Sequence, residues 1–462
     1  MLSKVRFNHM HDILDGKHEP PSVYGNILLV GTAHDGPTLM PRRIYSTREA
    51  IRHYKGGELV VGCAEAFIGG AHSVYAVRIS GSPAETTLVN YDGHPVMKIR
   101  TVSSGAKYND YKVVVDAYHI RILDEEDNVI GSYLKSEYAT LGQLHDRIFL
   151  DGSLKMHYII ARNLDQTAPL SDIQEVTYEM SGGTDETQLS HAQRANKLNA
   201  VYDVIIDAMM DIDTIVLLRA YPDEHIGFCQ ALAEACHTRS SYGYGTIGIM
   251  GVSKFNASYI LDSMKMRHGR YISIIAARPT LFINDLNPND VNMIDQEHYI
   301  STGEALYAGL LSRIPIYQHV DNKPIPTLDD KHDVPQAQLT LLENKGFTIL
   351  RRSTTRGFVV SKGVTLDLNP QFSYLYSTRL CIYIENMIRR KLDHYIGEAR
   401  PQVYELESII DEFMHTLVQA SAIRMYNFNV GIRAHTIEID IEFVPIHSIE
   451  VIHTSLRLIT RR

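Results

Sequence analysis

Twenty-two histidines and four cysteines are the side chains of this 462-residue chain best suited to chemistry, and their spacing decides whether they do any. His9-x-His11 and Asp223-Glu224-His225 offer imidazole and carboxylate donors for a metal or for acid–base work. Neither forms the His-Glu-x-x-His pattern that sets two ligands on one helical face, so they read as packed or solvated histidine. Cys236-His237 has the composition of a nucleophile and its base, but neighbours on a helix point apart and the pair fails geometrically. Gly56-Gly57 and Gly69-Gly70 would let a backbone approach a phosphate, yet they lack the GxGxxG spacing, and no GxxxxGK[ST] is present. Both read as turns, and nucleotide-driven work has no support. No catalytic, metal-binding or cofactor-binding residue is assigned, and the expectation is a non-enzyme without cofactors. The alternative, an α/β hydrolase-like enzyme, needs a convergent nucleophile and base that this sequence does not assemble.

The bulk properties point the same way. With 44% hydrophobic and 21% charged residues the composition is that of a globular protein. The length suggests about three domains. A net charge of −9 disfavours direct nucleic-acid binding and adhesion to anionic lipid. Cys63, Cys229, Cys236 and Cys381 are scattered, so reduced, cytosolic folding is expected in place of a disulfide or zinc framework. No apolar run is long enough to insert in a membrane, and Met1 to Asp12 lacks the apolar region of a secretory signal.

What positions these residues is an α/β pattern. Asn26 to Gly31 reads as a buried strand. Ser46-Thr47-Arg48-Glu49 is a capping box opening a helix; a second helix covers Cys63 to Ile68, and Ser73 to Ile79 alternates as a strand. From Ala84 to Glu179, strand-like runs such as Lys112 to Val115 and Ala117 to Leu123 alternate with turns, which predicts a mostly β insertion. Helical and apolar-strand patterns then return from Ser190 to Ala277. Near the end, Arg379 to Ile396 and Val403 to Leu417 carry amphipathic stripes. Thr436 to Phe443 alternates apolar and acidic residues, the period of a half-buried strand, and Arg424 to Val430 is its predicted antiparallel partner.

Beyond Pro445 the chain continues through Ile449, Val451, Ile452, Leu456, Leu458 and Ile459, a β-branched stretch that is apolar on both faces if extended. Such a stretch aggregates unless something pairs with it. It either folds back on its own domain or adds to a sheet in a neighbouring copy.

Several stretches, in order, resemble the contractile tail sheath family of myophages, R-type bacteriocins and related injection systems. They are Asn26 to Pro37 (NILLVGTAHDGP), Tyr45 to Gly57, Phe67-Ile68-Gly69-Gly70 followed by Val74-Tyr75-Ala76-Val77-Arg78, and Ser181-Gly182-Gly183-Thr184-Asp185. Ser104 to Asp110 resembles the family's Pro-Gly-x-x-Gly-Asn turn without its proline and second glycine. Arg379 to Gly397 and the close at Phe443-Val444-Pro445-Ile446 with Ile449-Glu450 resemble the family's C-terminal domain. No single motif is specific; their order and spacing carry the likeness.

The resemblance implies a mixed α+β and α/β multidomain chain. Its parts would be an N-terminal linking arm (1–24), an α/β core in two pieces (25–84 and 181–340), a mostly β inserted domain (85–180), a C-terminal sheath domain of two helices and an antiparallel sheet (341–446), and a C-terminal linking arm (447–462). It implies a structural subunit that stacks as hexameric rings around an inner tail tube and contracts to drive the tube through a host envelope. Its partners would be other copies of itself, the tail tube protein, and baseplate and tail terminator proteins; it would be assembled in the host cytoplasm and sit in the virion tail. Linking residues in the arms would be Leu2, Val5, Phe7, Ile449, Val451, Ile452, Leu456, Leu458 and Ile459. The accepting sheet would present Tyr426, Phe428, Val430, Ile437, Ile439, Ile441 and Phe443. A different tail component, such as a terminator or baseplate protein, stays open as a further reading.

Overall fold

The computed structural model describes residues 25–150, 159–163, 169–186, 188–207, 211–253, 266–283, 285–316, 318–330, 336–367, 369, 371–395, 402–433 and 436–446. The apolar opening run forms β1 (Ile27–Gly31), every residue of which is buried. After the edge strand β2 (Arg42–Ile44) comes α1 (Thr47–Tyr54), opened by the capping box: Ser46 Oγ accepts the N–H of Glu49, and the Glu49 carboxylate accepts the N–H of Tyr45. The next helix, α2 (Glu58–Gly69), begins five residues before the stretch that periodicity marks. Its first turn is held by Glu58, which is buried because it pairs with Arg194 at 2.7 Å and accepts the N–H of Thr32. β3 (Val74–Arg78) then returns parallel to β1.

The chain leaves the core at Gly81 for a separate body. There β4 (Pro83–Val89), β5 (Pro95–Ser104) and β9 (Ile159–Asn163) make one antiparallel sheet. A second is made by β6 (Lys112–Val115), β7 (His119–Leu123), β8 (Val129–Leu134) and β10 (Thr177–Glu179). Among the described residues, helix α3 (Leu141–Leu150) interrupts the strands. These elements enclose their own apolar core, which includes Ile99, Val113, Ile120, Tyr133, Leu144 and Ile173.

On return, α4 (His191–Asp207), β11 (Thr214–Leu217), α5 (Gly227–Ser241), β12 (Ile247–Met250) and β13 (Ile272–Ala276) extend the first sheet. The three strands are buried throughout, as parallel strands must be when helices cover the sheet. A small antiparallel sheet follows, of β14 (Pro279–Phe282), β15 (Asn292–Met293), β16 (His298–Ile300) and, beyond helix α6 (Glu304–Arg313), β17 (Asp329–Asp330). Helix α7 (Gln336–Asn344) leads to β18 (Phe347–Ser353) and β19 (Gly357–Val360), which complete an eight-stranded sheet in the order β2-β3-β1-β11-β12-β13-β18-β19. Strand pairing thus carries the core sheet past residue 340, where the sequence reading ended it. Phe347, Thr348 and Ile349 pair in parallel with Ile274, Ile275 and Ala276, a long-range match that local patterning does not reveal.

The final elements are α8 (Leu375–Leu392), α9 (Val403–Gln419), β20 (Ile423–Arg433) and β21 (Thr436–Pro445). Helix α8 buries the expected stripe of Leu380, Ile384, Ile388 and Leu392. Its polar side chains also bind the sheet domain: Asn386 bridges both backbone groups of Gly245, and Arg379 donates to the carbonyl of Leu311. The apolar core is continuous from the eight-stranded sheet through α8 and α9 to β20, so the C-terminal elements share the core that the inserted body does not.

Candidate functional site

Alternation fixes the geometry of the β20–β21 ribbon. Tyr426 stands opposite Phe443, Phe428 opposite Ile441, and Val430 opposite Ile439, so all their side chains fall on one face. That face packs toward α9, whose Leu406, Ile410, Phe413, Met414 and Leu417 are buried. Tyr426 fastens the two layers by donating its hydroxyl to Asp411 Oδ1 at 2.7 Å. Burial, and then this carboxylate, push the Tyr426 phenol up to about 12. The opposite face carries Glu438, Asp440 and Glu442 across from Gly431, Asn429 and Asn427.

The edges are what make the ribbon a candidate site. Among the described residues, neither β20 nor β21 has a second strand neighbour. Two long edges therefore offer backbone donors and acceptors, over an apolar floor already in place. The chain leaves this ribbon at a fixed point. Ile446 donates its N–H to Ala422 and its carbonyl meets His319 Nε2 at 3.1 Å, while the His319 ring stacks on Tyr376 at 3.8 Å. All seven residues assigned to an accepting sheet (Tyr426, Phe428, Val430, Ile437, Ile439, Ile441 and Phe443) lie together on this one ribbon. The linking residues Leu2, Val5, Phe7, Ile449, Val451, Ile452, Leu456, Leu458 and Ile459 lie outside the described residues.

A second constellation, which no local sequence pattern announces, joins three of the spaced motifs. The strand ending in Arg78, the Ser104 to Asp110 turn and the Ser181 to Asp185 return meet where the inserted body joins the core. Arg78 is wholly buried and donates to the carbonyls of Gly36 (3.0 Å), Ser104 (2.7 Å) and Asp185 (3.2 Å) and to Ser80 Oγ. Asn109 exchanges two hydrogen bonds with Gly183, and Asp185 accepts the N–H of Ala106. Asp35 receives both Lys107 Nζ at 2.6 Å and the Tyr108 hydroxyl at 2.9 Å. The outgoing and returning segments pair as well, Ser82 with Thr184 and Glu85 with Ser181. A Cβ at Gly183 would meet the Gly105 carbonyl at 2.4 Å, which explains the glycine.

The residues that could have done chemistry are used in packing. Asp223 accepts the N–H and hydroxyl of Ser253, Glu224 lies 3.7 Å from His191, and the ring of His225 stacks beside His191 and Phe228. Burial pushes the Cys236 thiol up to about 12, the reverse of an activated nucleophile, and His237 stacks on His268 at 3.7 Å. The crevice where an open α/β sheet takes its ligand, between β1 and β11, is filled by the chain itself. There Asp290 accepts the N–H of Gly57 at the start of α2 and pairs with His34, so a side-chain carboxylate sits where a phosphate would be cradled. Gly70, with φ 115°, caps the C-terminal end of α2, the wrong end for an anion. His9 and His11 lie outside the described residues. Among the described residues no three His, Cys, Asp or Glu side chains converge as a metal site, and no helix is long and apolar enough to cross a membrane.

No protein family and no curated protein matches the sequence. Solved structures do match. The sheath tail protein from Listeria innocua is 11% identical, with a TM-score of 0.57 over 92% of this chain and 96% of that one. The sheath tail protein from Desulfitobacterium hafniense is 12% identical, with a TM-score of 0.52 over 96% and 100%. A chain of the anti-feeding prophage helical sheath in its contracted state is 13% identical, with a TM-score of 0.54 over 99% of each chain. The chain has the fold of the contractile tail sheath proteins.

Proposed function

We propose that this chain is a structural subunit of a contractile tail sheath. It polymerises as stacked hexameric rings around an inner tube and contracts to drive that tube through a host envelope, without catalysis. The observation that carries the reading is the likeness to sheath chains over nearly the full length, with a ribbon whose two edges have no further strand among the described residues. Terminal segments of neighbouring copies, through Leu2, Val5 and Phe7 at one end and Ile449, Val451, Ile452, Leu456, Leu458 and Ile459 at the other, add strands to the ribbon. A donated strand keeps its backbone hydrogen bonds while the bodies around it rotate, which suits an assembly that rearranges without dissociating. Partners are further copies, a tube protein, and baseplate and terminator proteins, and the assembled location is a virion tail. The domain division of the sequence reading enters this proposal with one change: the core runs on through β19.

Electron microscopy of the purified full chain tests the reading. Tubes or stacked rings are expected; dispersed monomers under every condition of salt, concentration and pH would overturn it.

A further inference from the structure

Where α2 crosses α6, two acidic side chains are buried together. Glu65 is 4% exposed and Glu304 1%. The helices are in closest contact beside them: a Cβ at Gly69 would meet the Leu306 carbonyl at 2.3 Å, and one at Gly309 would meet the Ala66 carbonyl at 2.1 Å. Glu304 Oε1 accepts the N–H of Arg219. Its Oε2 lies against Gly251, where a Cβ would come within 2.5 Å, and has no hydrogen-bond partner among the described residues. The hydroxyl of Tyr299, close enough to feel the charge of Glu65, is likewise buried without a partner.

The groups around the pair do not neutralise it. Arg219 is the cation acting on Glu65, but its side chain is exposed and donates to the Asp290 carbonyl. Arg194 is committed to Glu58, two turns back along the same face of α2. Arg278 acts on Tyr221 and donates to the Ser253 carbonyl. Ser301 supplies a hydroxyl to Glu65, and Tyr221 and Thr302 complete the surroundings without charge. Burial this deep, with a second acidic side chain acting on it, favours the neutral form of Glu65.

We infer that Glu65 keeps its proton at neutral pH beside the buried Glu304, and that removing it loosens the contact of α2 with α6. The assignment stands on the core alone, independent of the sheath reading. Burial first, and Glu304 second, push the Glu65 carboxyl from 4.5 up to about 8. The folded chain therefore keeps a proton that the unfolded chain gives up above 4.5, and raising the pH across that interval favours unfolding. One proton released on unfolding shifts the equilibrium about tenfold per pH unit, with no further effect above the folded-state value.

Thermal unfolding of the full chain between pH 7 and 9, with Glu65→Gln and Glu304→Gln, is the test. The midpoint of the wild type is expected to fall from pH 7 to 8 and then level, and that of Glu65→Gln to stay level. Asp213, raised to about 7 by burial and then by Asp211, completes its own titration near the bottom of this window, so Asp213→Asn should keep the fall. In infrared spectra at pH 7.5, the protonated-carboxyl C=O band should persist in Asp213→Asn and be lost when Glu65→Gln is added to it, since Asp213 alone still holds part of its proton at that pH. A wild type with a flat midpoint, or a Glu65→Gln chain with the wild-type slope, would overturn the inference. If the Gln variants do not fold, a wild type and Asp213→Asn without that band would do so.

Discussion

The junction of the inserted body with the core, and the ribbon at the C-terminal end, solve opposite problems with the same backbone chemistry. At the junction three segments cross a small volume and their polar groups are answered internally: Arg78 takes three carbonyls, Asn109 takes both backbone groups of Gly183, and Asp35 takes Lys107 and Tyr108. The ribbon buries one face, leaves the other acidic, and has two edges with no strand beside them among the described residues. On the proposed function, the difference separates joining within a chain from joining between chains. The junction answers its backbone groups within the chain, while the ribbon's edges, bare among the described residues, are where the proposal seats a strand from a neighbouring copy.

The sharpest way to break this contrast is to remove what should occupy the edges. Deleting His453 to Arg462 is expected to leave soluble, folded monomer that forms no tubes, as judged by circular dichroism and electron microscopy. Long cylinders built by the truncated chain would mean that the edges are not where copies join. Next in size is Arg78→Ala, which strands the buried carbonyls of Gly36 and Ser104 and should cost about 3 kcal/mol or more, seen as a lower unfolding midpoint and as early proteolysis between the inserted body and the core. Unchanged stability would show that the junction is held by something other than this guanidinium.

A smaller effect is expected at the acidic face. In the sequence Lys4-Val5-Arg6-Phe7, basic and apolar residues alternate, the complement of a ribbon that is apolar below and acidic above. Asp440→Lys with Glu442→Lys should leave the subunit folded, because both side chains are exposed, but weaken assembly, and Lys4→Glu with Arg6→Glu should restore part of it. Restoration is read by sedimentation; its absence would move the donor strand to the other terminus.

Much of this contrast was legible in the residues, for identifiable reasons. The ribbon was readable because Thr436 to Phe443 repeats with period two, and a period of two has one structural solution. The stripe on α8 was readable for the same kind of reason. The start of α2 was not, because Glu58 interrupts the apolar pattern and is buried only through Arg194, which lies 136 residues away. The extension of the core through β18 was hidden in the same way, since β18 pairs with β13 across a long interval. The junction is the instructive case. Its motifs stood out as spaced signatures, but that Arg78, Asn109 and Gly183 touch is a fact of tertiary structure. An arginine at the end of a strand ordinarily faces water, and no local pattern announces one that is wholly buried.

The last test separates the floor of the ribbon from its edges. Tyr426 is half-buried, its ring stacks on Phe428 with centroids 6.3 Å apart, and its hydroxyl anchors the ribbon to Asp411 on α9. Tyr426→Phe keeps the ring and removes only the hydrogen bond, which near solvent is worth about 0.5–1 kcal/mol. The unfolding midpoint should drop by about 1–2 °C. The phenol, raised to about 12, keeps its proton throughout the interval in which Glu65 gives its own up, so this small loss should be the same at pH 7 and pH 9. If assembly nevertheless collapses in Tyr426→Phe, the edges accept a strand only when the ribbon is pinned at the right angle to α9. The floor would then be part of the joining device and not merely its support.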